Sequence, residues 1–389
     1  MVCRMTKKRG YLMPAKSNKK KTIRFTGLVK HIIFATNIIA ILLLLSAFLS
    51  WKVSPLKTNL FSYIGLAYGA IILINILYLG LWILFNKWKL ALISFMAIAI
   101  CYKPITTFFP LNVSVKKAPD TAIKILTYNV QGFVNERSKK NGKFPLLDYI
   151  AKQDADIVCL QEYMVSKTGK SLISQRDVNK ILKHYPYYSV TPLRSSTKSL
   201  TYGLACFSKY PIEATKNVGF KSSYNGAAIY TINIDSAKYA VANVHLESNS
   251  ITAEDKELYT NFLQSSDGVN LENVTSNIRS KLGKAYRTRT SQVNKVKSEL
   301  EEMNVEGVII CGDFNDTPIS YTFSQMKLGL KDAFTTAGFG PGITYNEDLF
   351  WFRIDNIMYS PNMKAYKAKV DRVLYSDHYP LKAIISLNK

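Results

Sequence analysis

A chain of 389 residues with 48% hydrophobic content is long enough for one large domain with a further segment attached. Its net charge of +24 is unevenly placed: ten of the 51 basic residues lie in the first thirty positions, five more lie between His31 and Pro110, and all 27 acidic residues follow Pro110. The remaining 36 basic residues therefore face 27 acids, which argues against a uniformly basic nucleic-acid coat but suits a phosphate-bearing substrate.

In chain order, residues 1–30 read as a basic cytoplasmic tail obeying the positive-inside rule and touching anionic headgroups. Residues 31–105 read as a transmembrane region of about three helices. The run IIFATNIIAILLLLSAFLSW (32–51) is uncharged and of spanning length, as is LFSYIGLAYGAIILINILYLGLWILF (60–85). The third segment, 90–105, has thirteen residues between Lys89 and Lys103 and spans only if Lys103 snorkels to the interface; otherwise it is an interfacial or re-entrant piece. The first run is too long for a cleaved signal peptide and is followed by further apolar segments. Three spans place the following domain outside the cytoplasm, at an inner or plasma membrane; two would return it. Residues 106–120, with Pro110 and Pro119, read as a linker, and 121–389 as the soluble domain.

The soluble domain contains short runs rich in Val, Ile and Tyr, which read as strands. Several carry a polar cluster at one end: IKILTYN to Asn129, DIVCLQE to Glu162, YAVANVHLE with His245, GVIICGDFN with Asp313 and Asn315, RIDNIMYS with Asp355, and SDHYPLKAII with Asp377 and His378. One Asp or Asn after a strand is ordinarily a turn or cap residue. Six such clusters at strand ends supply what a hard divalent cation and a phosphate need: carboxylates, a carboxamide and imidazoles on one rim. Cys159, Cys206 and Cys311 lie in apolar runs and read as buried hydrophobes, and with Cys3 and Cys101 they form no CxxC or zinc spacing.

TYNVQG, LQE, VHLE, GDFND, RIDNI and SDH, in that order, resemble the motif series of the endonuclease/exonuclease/phosphatase (DNase I-like) superfamily, over the soluble domain and none of the apolar part. The resemblance implies an α/β fold, a four-layer sandwich of two packed β-sheets flanked by helices, here preceded by an all-α transmembrane segment. It implies hydrolysis of a phosphoester by in-line attack of water, with Mg2+ as cofactor and Mn2+ as the alternative. On that resemblance Glu162 is the principal metal ligand, with Asn129 beside it and Asp377 supporting it. Asp313 orients and activates water, Asn315 holds a phosphate oxygen, His378 contacts the scissile phosphate, Asp355 pairs with His378, and His245 stabilises charge. Asp316 reads as a helix cap instead. GLACFSKYPI resembles a family strand that commonly carries Arg where Lys209 stands, which makes Lys209 a doubtful substrate contact.

The polar stretch from Ser248 to about Gly283 reads as a disordered insertion, the alternative being a substrate-covering element. Arg287, Arg289 and Gln292 are candidate substrate-binding residues at the rim by family precedent, against plain helix surface. The aromatics of YNEDLFWF (345–352) read as packing. The substrate is a phosphodiester or phosphomonoester: a lipid-linked phosphate, a phospholipid headgroup or nucleic acid. Tethering to the bilayer favours the lipid-linked class. The enzymatic alternative is an extracytoplasmic nuclease, and the non-enzymatic one is an inactive membrane scaffold. No obligate protein partner is inferred.

Overall fold

The computed structural model describes residues 27–113, 117–136, 144–167, 173–252, 254, 271–347 and 350–387. Most of the basic tail, and residues 255–270 of the polar stretch, lie outside the described residues. The amino-terminal helices are α1 (Gly27–Leu49), α2 (Leu60–Leu66), α3 (Tyr68–Leu84), α4 (Trp88–Ile100) and α5 (Tyr102–Phe108). One of these, α1, is long and apolar enough to cross a membrane, or three spans result if each bent pair counts as one. The pair α2 and α3 is bent by 68°, and α4 and α5 by 65°. The second bend has a visible cause: Pro104 has no N–H with which to continue the bonding of α4, and it sits in the first turn of α5, where none is needed. Helix therefore reaches Phe108, into the segment expected as a linker.

Polar side chains join these helices where water is excluded. Asn37 Oδ1 on α1 accepts from Trp82 Nε1 on α3 at 2.8 Å and from Ser94 Oγ on α4 at 3.1 Å. Asn75 Nδ2 on α3 donates to Ala40 O on α1 at 3.0 Å. A buried amide left without such partners is costly, so these bonds fix which faces meet. The start of α1 shares a cavity with the α3–α4 turn, lined by Lys30, His31, Lys87 and Lys89. The opposite ends press on the rest of the protein: Ser50 Oγ donates to Ile319 O at 2.5 Å, Trp51 Nε1 to Pro318 O at 2.7 Å, and Arg353 Nη2 to Thr107 O at 2.5 Å.

The remainder is built on two six-stranded sheets. The first runs in the order β13 (Lys364–Val370), β14 (Leu381–Ser386), β1 (Ile123–Asn129), β2 (Ile157–Ser166), β4 (Leu200–Ser208), β3 (Tyr187–Pro192). The second runs β5 (Ile212–Val218), β6 (Gly226–Ile234), β7 (Ala237–His245), β8 (Gly307–Asp313), β12 (Asp355–Tyr359), β9 (Lys331–Asp332). Tyr345–Glu347 and Phe350–Phe352 form a separate hairpin, β10–β11. Ile125, Leu204, Tyr230, Val241, Ile357 and Ala383 meet between the sheets, together with Cys159, Cys206 and Cys311. Those three cysteines are free thiols buried as hydrophobes.

Helices α6 (Pro145–Gln153) and α7 (Gln175–Ile181) cover the outer face of the first sheet through Leu146, Ile150 and Val178. Helices α8 (Leu271–Glu301) and α9 (Tyr321–Met326) cover the second through Val293, Val296, Leu300 and Phe323. The result is the expected four-layer α/β sandwich. A short helix, α10 (Ala333–Ala337), follows β9. The central strands are buried on both faces, which is why they read as continuous apolar runs rather than alternating ones. The polar stretch departs from expectation at its end: from Leu271 it is the start of α8, a single helix of 31 residues.

Candidate active site

Strand register brings the polar strand ends together. Parallel pairing sets Asn129 opposite Gln161 and His245 opposite Asp313, and antiparallel pairing sets Asp355 opposite Asp313. Six clusters far apart in sequence therefore arrive at one edge of the two sheets. A bulge in β2 then aims Glu162: the pairing with β4 shifts between Leu160 and Tyr163, and Glu162 takes φ 52°. A left-handed glutamate costs on the order of 1–3 kcal/mol, so surrounding bonds must hold it. Asn243 supplies them, donating to Leu160 O at 3.0 Å and Ala205 O at 3.1 Å while accepting from Gln161 Nε2 at 2.6 Å.

Asp313 is the hub. Its Oδ2 accepts from Asn129 Nδ2 at 3.1 Å and lies 3.7 Å from His245 Nε2 and 3.6 Å from His378 Nε2. Its Oδ1 accepts from the Asn315 N–H at 2.8 Å. Asn129 Nδ2 also donates to Glu162 Oε1 at 3.1 Å, and His245 Nε2 lies 3.6 Å from the same oxygen. His378 Nδ1 meets Asp355 Oδ2 at 2.8 Å, which leaves Nε2 facing the cavity. Asp355 is seated by Thr344, whose Oγ1 accepts from both the Ile354 and Asp355 N–H groups at 3.0 Å. Glu162, His245, Asp313, Asn315, Asp377 and His378 all line one cavity of about 240 Å³.

Burial dominates the electrostatics. It raises the Asp313 carboxyl above its ordinary range, with the Asp355 charge adding to the effect. Burial also raises Asp377, reinforced by the negative charges of Glu162 and Glu347. For His378 burial works against the charged ring, yet Asp355 and Asp313 overcome it and hold the imidazole at about 10. Asp313, Asp355 and His378 lie close enough to form a three-ligand cluster. In that cluster Asp355 already engages His378 Nδ1, so the ring offers the cavity only Nε2. Glu162 and Asp377 instead present two carboxylates, one raising the other, and a hard cation relieves such a pair.

The profile of the endonuclease/exonuclease/phosphatase family matches residues 126–378. The chain belongs to that family. Members of this family hydrolyse phosphoester bonds. Residues 30–108 match a separate domain of unknown function, DUF8431. No curated protein sequence matches the chain. Among solved structures it is similar to a family protein from Leptotrichia buccalis, at 18% identity and TM-score 0.48, covering 68% of this chain and 99% of that one. It is likewise similar to the human Nocturnin catalytic domain with bound sulfate, at 16% identity and TM-score 0.49, covering 70% and 96%. A family protein from Bacteroides vulgatus gives 17% identity and TM-score 0.46, covering 69% and 100%.

Beyond the shared motifs of the endonuclease/exonuclease/phosphatase family, the structure separates the remaining candidates. Arg289 lies mid-way along α8 and is fully buried in the cavity wall. Its Nε pairs with Asp316 at 3.2 Å and its Nη1 donates to Glu247 O at 2.7 Å, while Nη2 has no hydrogen-bond partner among the described residues. Asp316 is thus a partner of Arg289 and Thr322, and the cap of α9 is Ser320. Gln292 does not line the cavity. It braces the loop after His245, accepting from Glu247 N at 2.8 Å. Arg287 is exposed beside Asn59 and stays outside the cavity. Lys209 pairs with Asp154 at 2.7 Å and Asp156 at 3.1 Å, a surface link rather than a substrate contact. Ser248 to Ile251, the described start of the polar stretch, line the cavity.

Proposed function

We propose that the chain is a membrane-anchored, divalent-metal-dependent hydrolase of a phosphodiester or phosphomonoester. The observation that carries the reading is Asp313, a buried carboxylate ringed by Asn129, His245 and His378 in the cavity that also holds Glu162 and Asp377. Asp313 takes the proton of a water, whose oxygen attacks phosphorus in line; the ester P–O bond breaks, and the alkoxide leaves with a proton returned from the site. The His378 ring, oriented by Asp355, presents Nε2–H to a nonbridging oxygen of the phosphate, with His245 and Asn315 sharing that charge. Arg289, fully buried in the cavity wall, adds a fixed positive charge to the site. Glu162 and Asp377 would hold Mg2+, or Mn2+, with Asn129 orienting Glu162, and the ion would supply Lewis-acid stabilisation of phosphate charge.

The test uses the full chain in nanodiscs with bis(p-nitrophenyl) phosphate and p-nitrophenyl phosphate. Mg2+-dependent release of nitrophenol is expected from at least one. Glu162→Gln is expected to weaken the apparent Mg2+ affinity at least ~10-fold, because it removes a charged ligand. Absence of hydrolysis by the unaltered chain, or an unchanged Mg2+ dependence in Glu162→Gln, sinks the proposal.

The membrane reading is of three spans, with the sandwich on the side opposite the basic tail. It is supported by Lys30, Lys87 and Lys89 gathering at one end of the helices while Ser50, Trp51 and Thr107 reach the sandwich from the other. The positive-inside rule then puts the sandwich outside the cytoplasm. A cysteine at exposed position 57 is expected to react with an impermeant maleimide on intact cells, and one at position 87 only after permeabilisation. The opposite pattern would reverse the topology.

A further inference from the structure

The catalytic cavity is not made by the sandwich alone. Leu66, the last residue of α2, lines it together with Glu162, His245, Asp313 and His378. Two glycines let α2 come this close. A Cβ on Gly65 would stand 2.7 Å from Ser50 Oγ and 2.9 Å from Ile319 O, so the α2 backbone lies directly against the loop before α9. A Cβ on Gly283 of α8 would stand 2.6 Å from both Asn59 Nδ2 and Tyr63 Oη. Tyr63 Oη donates to Arg279 O at 2.8 Å, and its ring meets Tyr286, itself a cavity residue, edge-on at 5.9 Å. The bend of 68° between α2 and α3 turns the α2 end of this helix pair onto the sandwich.

The cavity is accordingly divided. Its floor is carboxylates and imidazoles, and its wall includes Leu66, Ile251, Leu282 and Ile354. Three aromatic rings line the cavity: Tyr286 carries the Arg289 guanidinium at 5.0 Å, Tyr345 packs edge-on against His378 at 5.1 Å, and Phe352 of the β10–β11 hairpin joins the apolar wall. The non-phosphate part of a substrate therefore meets an apolar wall, one part of which, Leu66, is carried by a helix of the apolar region. Leu60, which opens α2, and Leu56 before it are exposed apolar side chains on the same segment.

We infer that α2 is a wall of the substrate site and that Leu66 selects a phosphoester bearing an aliphatic chain, admitted from the bilayer beside α2. This rests on the hydrolase reading above and adds the substrate class to it. Head and tail separate by the chemistry of the two surfaces: the phosphate gains charge-assisted bonds on the floor, and the chain leaves water along Leu66.

The experiment compares hexadecyl p-nitrophenyl phosphate in phosphatidylcholine vesicles with methyl p-nitrophenyl phosphate, using the full chain reconstituted in the same vesicles. The ratio of the two kcat/KM values is expected to favour the long-chain ester at least ~10-fold, and Leu66→Asp to lower that ratio by ~10-fold or more, as polar replacement in an apolar subsite does. Leu66→Met is expected to keep the ratio, which separates loss of the subsite from loss of fold. A ratio near one, a ratio that Leu66→Asp leaves in place, or faster cleavage of a single-stranded oligonucleotide overturns the inference while the hydrolase reading stands. Failure to cleave either ester counts against both.

Discussion

Asp313→Asn is expected to lower kcat by ~10²–10⁴-fold without loss of fold, the range that a positioned general base contributes. The replacement is nearly isosteric and keeps an oxygen for the Asn315 N–H, now 2.8 Å from Asp313 Oδ1. It removes the proton acceptor, and it removes one of the carboxylates, with Asp355 and Asp377, that favour the charged His378 ring. The stability effect should run the other way. Burial raises Asp313, so its ionised form is disfavoured in the folded state relative to the unfolded one. An acid raised on folding subtracts stability above its unfolded pKa and returns it as pH falls. At neutral pH the Asp313→Asn chain is therefore expected to unfold at the same temperature as the unaltered chain or a higher one. Initial rates on bis(p-nitrophenyl) phosphate and a thermal melt in detergent measure the two arms. A rate loss under tenfold would remove Asp313 from the centre of the mechanism.

The sequence exposes what is written locally. Asn129, Glu162, His245, Asp313, Asp355, Asp377 and His378 each stand at the end of an apolar run, so a strand edge carrying polar residues is visible one strand at a time. Register then does the rest, because parallel pairing of β1 with β2 and of β7 with β8 aligns ends that already share a direction. The residues that hold the site in place carry no such signal. Asn243 sits inside an apolar strand and matters because it bonds the Leu160 carbonyl beside the bulge, on β2 of the facing sheet. Thr344 precedes a hairpin and caps two N–H groups ten and eleven residues away. The Arg289–Asp316 pair spans 27 residues, and only the fold tells it from a helix surface residue and a helix cap.

The apolar region teaches a similar lesson. Hydropathy marks 60–85 as one uninterrupted run, yet the helix breaks at Ala67 and its first seven residues turn onto the sandwich. Nothing in composition separates Leu66 from its neighbours. Gly65 and Gly283 are the local trace of that contact, and each reads as an ordinary helical glycine until the opposing atoms are known.

The remaining large effect concerns His378. Asp355→Asn is expected to lower kcat by at least ~10²-fold and to move the ring's titration down from about 10. Burial and the charges of Asp355, Asp313 and Asp377 all act on this imidazole. Burial opposes its charge, while the Asp355 carboxylate at 2.8 Å and the Asp313 carboxylate at 3.6 Å favour it. In Asp355→Asn the nearer charge is gone and the burial penalty stays, so the ring is neutral at a pH where the unaltered enzyme holds imidazolium. The sign for stability follows. A histidine raised on folding contributes stability that is fully present below its unfolded pKa, roughly 6.5, and that is lost as pH rises through about 10. The unaltered chain should therefore keep this contribution across neutral pH, and Asp355→Asn should lose it from a lower pH upward. With only four histidines in the chain, ring signals in a histidine-labelled sample can be assigned by substitution. One ring should remain protonated at pH 9 in the unaltered protein, and in His378→Gln that signal should vanish. If all four rings titrate between 6 and 7, His378 is neutral at work, and its part in binding phosphate charge has to pass to Arg289 and the metal.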